Sequence, residues 1–371
     1  MNYCTQCVMP DTKPGFSVNP QGVCNACQFA QYEKTVDWDA RWELVRVLAA
    51  RTAQLKNSSY NVLIPVSGGK DSTFLALMAR DKLGLNPLCV NVAPCEPTER
   101  GERNLRNLSK LGFDIFRFLP NQKIMPRLVK RSFYEDGDPC TSHEFMLYSV
   151  PVRVAMQYKI PLIIWAENPQ LIYGNPGDVK DASEQRNIGG LWGRPAAHWV
   201  CDGVTETDLI SFEHPRADEI KAAGIKALYL SDYILWDSRK VAQFAVEHGL
   251  EIRPTGDADI TRLDVDALLN SDNEELLGTG GYWPFEQLDD ESPVIGHYLK
   301  YQKFGYGRAT DHACRDIRRG YITREQGFEL AKKYDGHLNP LYVERFCRYI
   351  GITEAEFHRV CQSFYRNPVK F

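Results

Sequence analysis

Pro65-Val66-Ser67-Gly68-Gly69-Lys70-Asp71-Ser72 decides how this chain is read. The apolar run Tyr60 to Val66 leads into it and has the length of a buried strand. Thr73-Phe74-Leu75-Ala76-Leu77-Met78-Ala79 follows and fits a buried helix. A strand, a glycine turn and a helix N-terminus together make an anion site. The turn exposes backbone N–H groups, the helix dipole favours negative charge, and two serine hydroxyls add donors. The plain alternative is a Gly-rich turn with an ordinary Asp or Ser cap.

The stretch is not a Walker A loop, which needs four residues between its first glycine and Gly-Lys-Ser/Thr. Nor is it a dinucleotide fingerprint, because the third glycine is missing. The pattern Ser-Gly-Gly-x-Asp-Ser resembles the pyrophosphate (PP) loop of the ATP pyrophosphatases, which include GMP synthetase, NAD synthetase, argininosuccinate synthetase and tRNA lysidine synthetase. That resemblance implies ATP cleaved between its α and β phosphates, with phosphates held by Ser67, Gly68, Gly69, Lys70, Asp71 and Ser72. Gly68 and Gly69 let backbone approach the pyrophosphate. Ser67 and Ser72 supply donors, and Asp71 suits Mg²⁺. Lys70 fills the variable position of the pattern, where a surface residue suffices.

Composition sets the outer bounds. The 371 residues allow a full core and more than one domain. Hydrophobic residues at 43% and charged residues at 25% are ordinary for a globular protein. No apolar run reaches membrane-spanning length, and Met1-Asn2-Tyr3-Cys4 does not begin a signal peptide. A net charge of −4 argues against a broad nucleic-acid footprint. Eleven cysteines without secretory context read as reduced cytoplasmic thiols.

Four of those cysteines are paired as Cys4-x-x-Cys7 and Cys24-x-x-Cys27, the spacing of a four-cysteine zinc site. Four thiolates leave no open position, so the expected Zn²⁺ is structural. An iron–sulfur site and a redox pair are the competing readings. Cys89 and Cys347 have apolar neighbours and read as core.

After the ribbon, Trp38 to Leu55 patterns as an amphipathic helix. Strands are predicted at 61–66, 88–92, 114–118, 161–166 and 227–231. Helices are predicted at 72–83, 98–111, 123–134, 144–158 and 238–248, with Pro151 expected to kink or split the fourth. Alternating strands and helices imply a parallel sheet with ligands at the strands' carboxyl ends. There the 67–72 loop, the loop after Val92 and the loop after Ala166 converge. Glu167, in the last of these, is placed for Mg²⁺ or a substrate hydroxyl; a solvated loop acid is the even alternative. Residues 172–215 read as an irregular insertion, a lid or contact surface, with Gly189-Gly190-Leu191-Trp192-Gly193-Arg194 at its centre. The last third is mainly helical. Its densest stretch, His297 to Gly320, carries Arg308, Arg315 and Arg318 among interleaved aromatics, a pattern suited to a phosphate-bearing ligand. A solvated basic helix face is the usual fate of such a run. His312 beside Asp311 reads as an acid/base or positioning group, although a lone histidine is more often structural.

Cys-Thr-Gln-Cys-Val-Met-Pro at the start, Gly-Val-Cys-Asn-Ala-Cys, Val-Ser-Gly-Gly-Lys-Asp-Ser-Thr, and Lys303 to Gly320 together resemble the N-acetyl sugar amidotransferases of bacterial surface-glycan pathways. The resemblance implies an α/β, parallel-sheet PP-loop domain (HUP-like, Rossmann-like) over 34–255. An N-terminal zinc ribbon over 1–33 would precede it, and a mainly helical substrate and partner region over 256–371 would follow. It further implies an ATP- and Mg²⁺-dependent, AMP- and PPi-forming ligase of lipopolysaccharide or O-antigen biosynthesis. Such an enzyme converts the acetamido group of a nucleotide-activated N-acetyl sugar into an acetamidino group. Asp71, Glu167 and His312 would be its catalytic residues, and Arg308, Arg315 and Arg318 its substrate contacts. No glutaminase nucleophile signature is present in the sequence, so ammonia must come from elsewhere; the partners that the resemblance implies are a glutaminase and a cyclase-like barrel resembling the imidazole glycerol phosphate synthase pair. The runner-up reading is a tRNA-modifying ATP pyrophosphatase, of thiolation or lysidine type. A non-enzymatic ATP-binding zinc-ribbon subunit is the third.

Overall fold

The computed structural model describes residues 1–55, 58–168, 196–255 and 259–365. Among them lies one five-stranded sheet: β1 (Val62–Pro65), β2 (Pro87–Val92), β3 (Asp114–Phe118), β4 (Leu162–Trp165) and β5 (Lys226–Tyr229), in the order β3-β2-β1-β4-β5. Every pairing is parallel. Val-Leu-Ile in β1 and Leu-Ile-Ile-Trp in β4 are buried on both faces, as strands covered by helices on either side must be. β3, at the edge, keeps Asp114 and Arg117 exposed.

From β1 the chain builds outward to β2 and β3, then returns to place β4 on β1's other side, with Leu63 beside Ile163. That reversal opens a crevice between the carboxyl ends of β1 and β4, where a doubly wound sheet binds its ligand. The strands agree with the sequence reading to within a residue or two. The helix Lys70–Leu77 begins two residues earlier than expected, with Gly69 as its N-cap, and relaxes into a π turn at Met78–Lys82. The helix around Pro151 is not split: Thr141–Tyr158 runs on past it. A helical proline costs about 3 kcal/mol or more through the lost hydrogen bond and clash. Here burial of Val150, Val152, Val154 and Ala155 against the sheet offsets that cost.

Two apolar clusters cover the two faces of the sheet. A third joins the two ends of the chain: Cys4, Val8, Met9 and Val23 pack with Tyr282, Trp283, Ala309, Ala313 and Leu330. Arg324 clamps this junction by donating to the Cys7 and Cys4 carbonyls at 3.1 and 3.0 Å. The last third is helical, including Ser292–Phe304, Arg308–Arg319, Arg324–Tyr334, Pro340–Ile350 and Glu354–Ser363. Cys89 and Cys347 are core residues, as read. Most of the 172–215 insertion, including 189–194, lies outside the described residues, as do Pro169 and Gln170. Among the described residues no helix is long and apolar enough to cross a membrane.

Candidate active site

The loop at 66–69 leaves β1 and turns directly into helix Lys70–Leu77. Gly68 sits at φ +90°, and a Cβ there would lie 3.0 Å from both the Gly101 carbonyl and the Leu105 nitrogen. Only glycine tolerates both the left-handed backbone and the contact with helix Glu99–Lys110. The Ser72 and Thr73 hydroxyls both donate to the Gly69 carbonyl at 3.0 Å, and the Gly69 N–H donates to Ser67 Oγ at 3.3 Å. The serines therefore brace the turn as it stands.

Lys70 corrects the sequence reading. It is not on the surface: only 6% is exposed, and its Nζ lies 2.7 Å from Asp71 Oδ2. Burial pulls its ammonium down, but Asp71, Glu286 and Glu167 together more than offset this and hold it above the usual lysine range. Asp71 is pushed up by burial, which Lys70 counteracts only in part. Its Oδ1 is buried without a hydrogen-bond partner among the described residues. An orphaned carboxylate oxygen at the mouth of an anion loop fits a hard divalent cation.

The loop after β4 brings Glu167 to the same crevice. Ser238, at the start of helix Ser238–Glu247, donates to Glu167 Oε1 at 3.0 Å, and Arg315 pairs with the same oxygen. Burial would raise Glu167, yet Arg315 and Lys70 hold it below the usual range. Arg315 comes from Arg308–Arg319, the basic stretch flagged in the sequence. That helix is not a solvated face: Ala309 through Asp316 are buried, and Arg315 lies over the Trp283 ring at 5.0 Å.

His312 is 1% exposed and stacks on Trp283, with ring centroids 4.4 Å apart. Its Nδ1 accepts from the Tyr282 N–H at 3.3 Å and its Nε2 bonds Glu286 at 2.8 Å. That arrangement selects one neutral tautomer, and burial, only partly opposed by Glu286, lowers the imidazole to about 4. Arg308 pairs with Glu286 at 2.5 Å and with Asp311 at 3.4 Å. His312 and Arg308 are thus committed to Glu286, which the sequence reading missed because a single glutamate in an irregular segment carries no spacing signal. Between pH 6.5 and 4 an unfolded chain protonates this histidine while the native one does not, so stability falls as pH drops through that window. The loss reaches about 3 kcal/mol. Urea melts at pH 7 and pH 5 are expected to diverge in the wild type and to converge substantially in His312→Gln.

Asp316 was also missed. It takes both arms of Arg239 at 2.7 Å, the Tyr282 hydroxyl at 2.8 Å and the Trp283 indole at 2.9 Å. Asp316→Asn leaves Arg239 buried without its counter-charge and is expected to cost about 3–5 kcal/mol in denaturant unfolding. Its backing of Trp283 is what holds the wall behind Arg315.

Arg318 lies on the far side of this wall. It lines a cleft with Met9, Lys13, Cys24, Asn25, Ala26 and Asp311, within the field of the ribbon thiols. A neighbouring groove, bordered by Phe29, Trp236, Ser238, Trp283, Arg315 and Arg318, connects the ribbon to the crevice. Cys4, Cys7, Cys24 and Cys27 are buried, with sulfurs all within 4.8 Å of one another. The Cys4–Cys27 and Cys7–Cys24 separations are 4.0 and 3.8 Å. A tetrahedron with metal–sulfur bonds of about 2.3 Å has edges of about 3.8 Å, so the four thiols fit a single four-coordinate ion.

Residues 282–371 match the family model described as "LPS biosynthesis protein WbpG-like, C-terminal domain". No curated protein matches the chain. Among solved structures, NMN synthetase from Francisella tularensis is 11% identical, covering 77% of this chain and 94% of that one at a TM-score of 0.34. The U34-tRNA thiolase NcsA from Methanococcus maripaludis, with its [4Fe-4S] cluster, is 14% identical, covering 86% of each chain at a TM-score of 0.30. Similarities this low decide nothing about activity. The matched domain supplies Trp283, Glu286, Arg308, His312, Arg315 and Asp316, which is the crevice's second wall. Residues 282–371 are thus similar to the C-terminal domain of WbpG-like LPS biosynthesis proteins, in line with the surface-glycan resemblance of the sequence.

Proposed function

We propose that the chain is an ATP-dependent amidotransferase. It adenylylates the acetamido oxygen of a nucleotide-activated N-acetyl sugar, and ammonia then displaces AMP to leave an acetamidino group in a surface-glycan precursor. The observation that carries this reading is one ion pair. Arg315, from the domain shared with LPS biosynthesis proteins, reaches Glu167 beside Lys70 and Asp71 of the phosphate loop. The family-specific region and the nucleotide loop thereby build one crevice.

The chemistry needs little beyond positioning and charge. An amide oxygen is a poor leaving group, and transfer of AMP to it makes a good one. The bond between the α and β phosphates breaks, PPi leaves, and the amide oxygen gains the nucleotidyl group. The N-terminus of helix Lys70–Leu77 and the Gly69 N–H bind pyrophosphate, with Lys70 as the buried counter-charge. Asp71 and Glu167 are the residues that would hold Mg²⁺, which would supply charge neutralisation for the nucleotide's phosphates. Arg315 and Arg318 border the groove available to the sugar's phosphates. Arg308 and His312 act as positioning residues by fixing Glu286 and Trp283 behind them. Ammonia comes from a partner glutaminase through a cyclase-like protein. The ribbon's ion is Zn²⁺ in a closed structural site.

The test is product analysis. Incubation with ATP, Mg²⁺, ammonium and candidate nucleotide-activated N-acetyl sugars is expected to give AMP and PPi only when sugar and ammonium are both present. ADP and phosphate would overturn the reading, as would AMP formation that depends on tRNA instead.

A further inference from the structure

A buried three-residue cluster stands apart from both the ribbon and the charged crevice. Cys95, His143 and Asp290 each offer one ligand atom, and these atoms lie within 4.8 Å of one another. Cys95 is in the loop after β2, His143 in the first turn of helix Thr141–Tyr158, and Asp290 just ahead of helix Ser292–Phe304. A bridge between Pro97 and Asp290 ties the first and third of these segments together.

Two of the three side chains are held in place from behind. Asp290 Oδ1 accepts from the Ser292 N–H at 2.9 Å and the Glu96 N–H at 3.2 Å. His143, 9% exposed, hydrogen-bonds the Ala93 carbonyl, while its Nε2 is buried with no partner among the described residues. An imidazole anchored through one nitrogen to a carbonyl, with the other nitrogen buried beside a thiol and a carboxylate, has the arrangement of a metal ligand with its orienting partner. As a merely structural histidine it would leave a buried acceptor unsatisfied, which is costly.

We propose that Cys95, His143 and Asp290 form a second metal site, separate from the four-cysteine ribbon, that binds Zn²⁺. One sulfur, one imidazole nitrogen and one carboxylate oxygen suit this borderline-soft ion better than Mg²⁺, which demands oxygen. Neighbouring ligand atoms around tetrahedral zinc lie about 3.3–3.8 Å apart, so the shell closes with side-chain shifts on the order of an ångström. Three protein ligands leave a fourth position for water or a small ligand, unlike the closed ribbon. The site borders the nucleotide loop, because the Ser67 hydroxyl bonds Asp289, the residue next to Asp290.

The full chain, purified from zinc-supplemented expression and gel-filtered, is expected to hold about two zinc ions by mass spectrometry of the metal. Cys95→Ala and His143→Ala are each expected to hold about one while keeping their near-ultraviolet dichroism. Zinc X-ray absorption on the wild type needs no variant to fold. Two full sites give an average of about 2.5 sulfur neighbours per zinc, against about four for the ribbon alone. One zinc per chain with four sulfurs would overturn the proposal. So would two zincs retained in both variants.

Discussion

Asp71→Asn is expected to lower AMP formation by about three orders of magnitude, comparable to removing a principal charge-stabilising group from an active site. The substitution keeps the side chain's size but removes the charge that faces both Lys70 and the orphaned oxygen position. If Asp71 helps neutralise phosphates only as the nucleotidyl group transfers, kcat falls while the KM for the sugar holds. If it only steadied the fold, kcat would stay and the melting temperature would drop. Lys70 is left as a buried cation by the substitution, so some loss of stability accompanies the kinetic effect. Full turnover by a folded Asp71→Asn protein would remove the loop from the chemistry.

The second large effect concerns the ribbon. Stripping its metal, or replacing Cys24 with Ser, is expected to cost several kcal/mol and to release the N-terminal segment. Before helix Asn25–Glu33 the segment has no helix or extended strand, and its β pairing is two isolated bridges, Tyr3 with Pro10 and Val18 with Cys24. Its apolar residues Val8, Met9 and Val23 pack onto the C-terminal helices, and Arg324 holds the Cys4 and Cys7 carbonyls. Loosening it exposes the cleft at Arg318 and the groove leading to Arg315. Thermal melts with and without a strong chelator, with limited proteolysis of the first 24 residues, check this. An unchanged melt after verified metal loss would make the cysteines ordinary core thiols.

Much of the fold was legible because its signals are local. Val62–Pro65 and Leu162–Trp165 are short, wholly apolar runs bounded by turn residues, and the alternation of strand and helix dictates a parallel sheet. The strand order β3-β2-β1-β4-β5 came only with the folded chain, but the expected binding at the strands' carboxyl ends already brought the loop carrying Glu167 towards the phosphate loop. The four cysteines were legible because a metal site imposes spacing. The burial of Lys70 was missed because a motif position that varies in type says nothing about burial. Pro151 does not split its helix because the helical penalty is local while the compensating burial is tertiary. Glu286 and Asp316 left no trace in the sequence: their meaning lies in partners 22 to 77 positions away, Arg308, His312 and Arg239. Cys95, His143 and Asp290 are likewise scattered, and only the folded chain brings them together.

The central claim is that the α-phosphate goes to the acetamido oxygen. The most direct measurement uses a nucleotide-activated N-acetyl sugar carrying ¹⁸O in that oxygen, with ATP, Mg²⁺ and ammonium, and follows the label by mass spectrometry. The expected result is ¹⁸O in AMP, with none in pyrophosphate and none left in the amidine product. Label in inorganic phosphate, or AMP formed without label while the amidine appears, would contradict it.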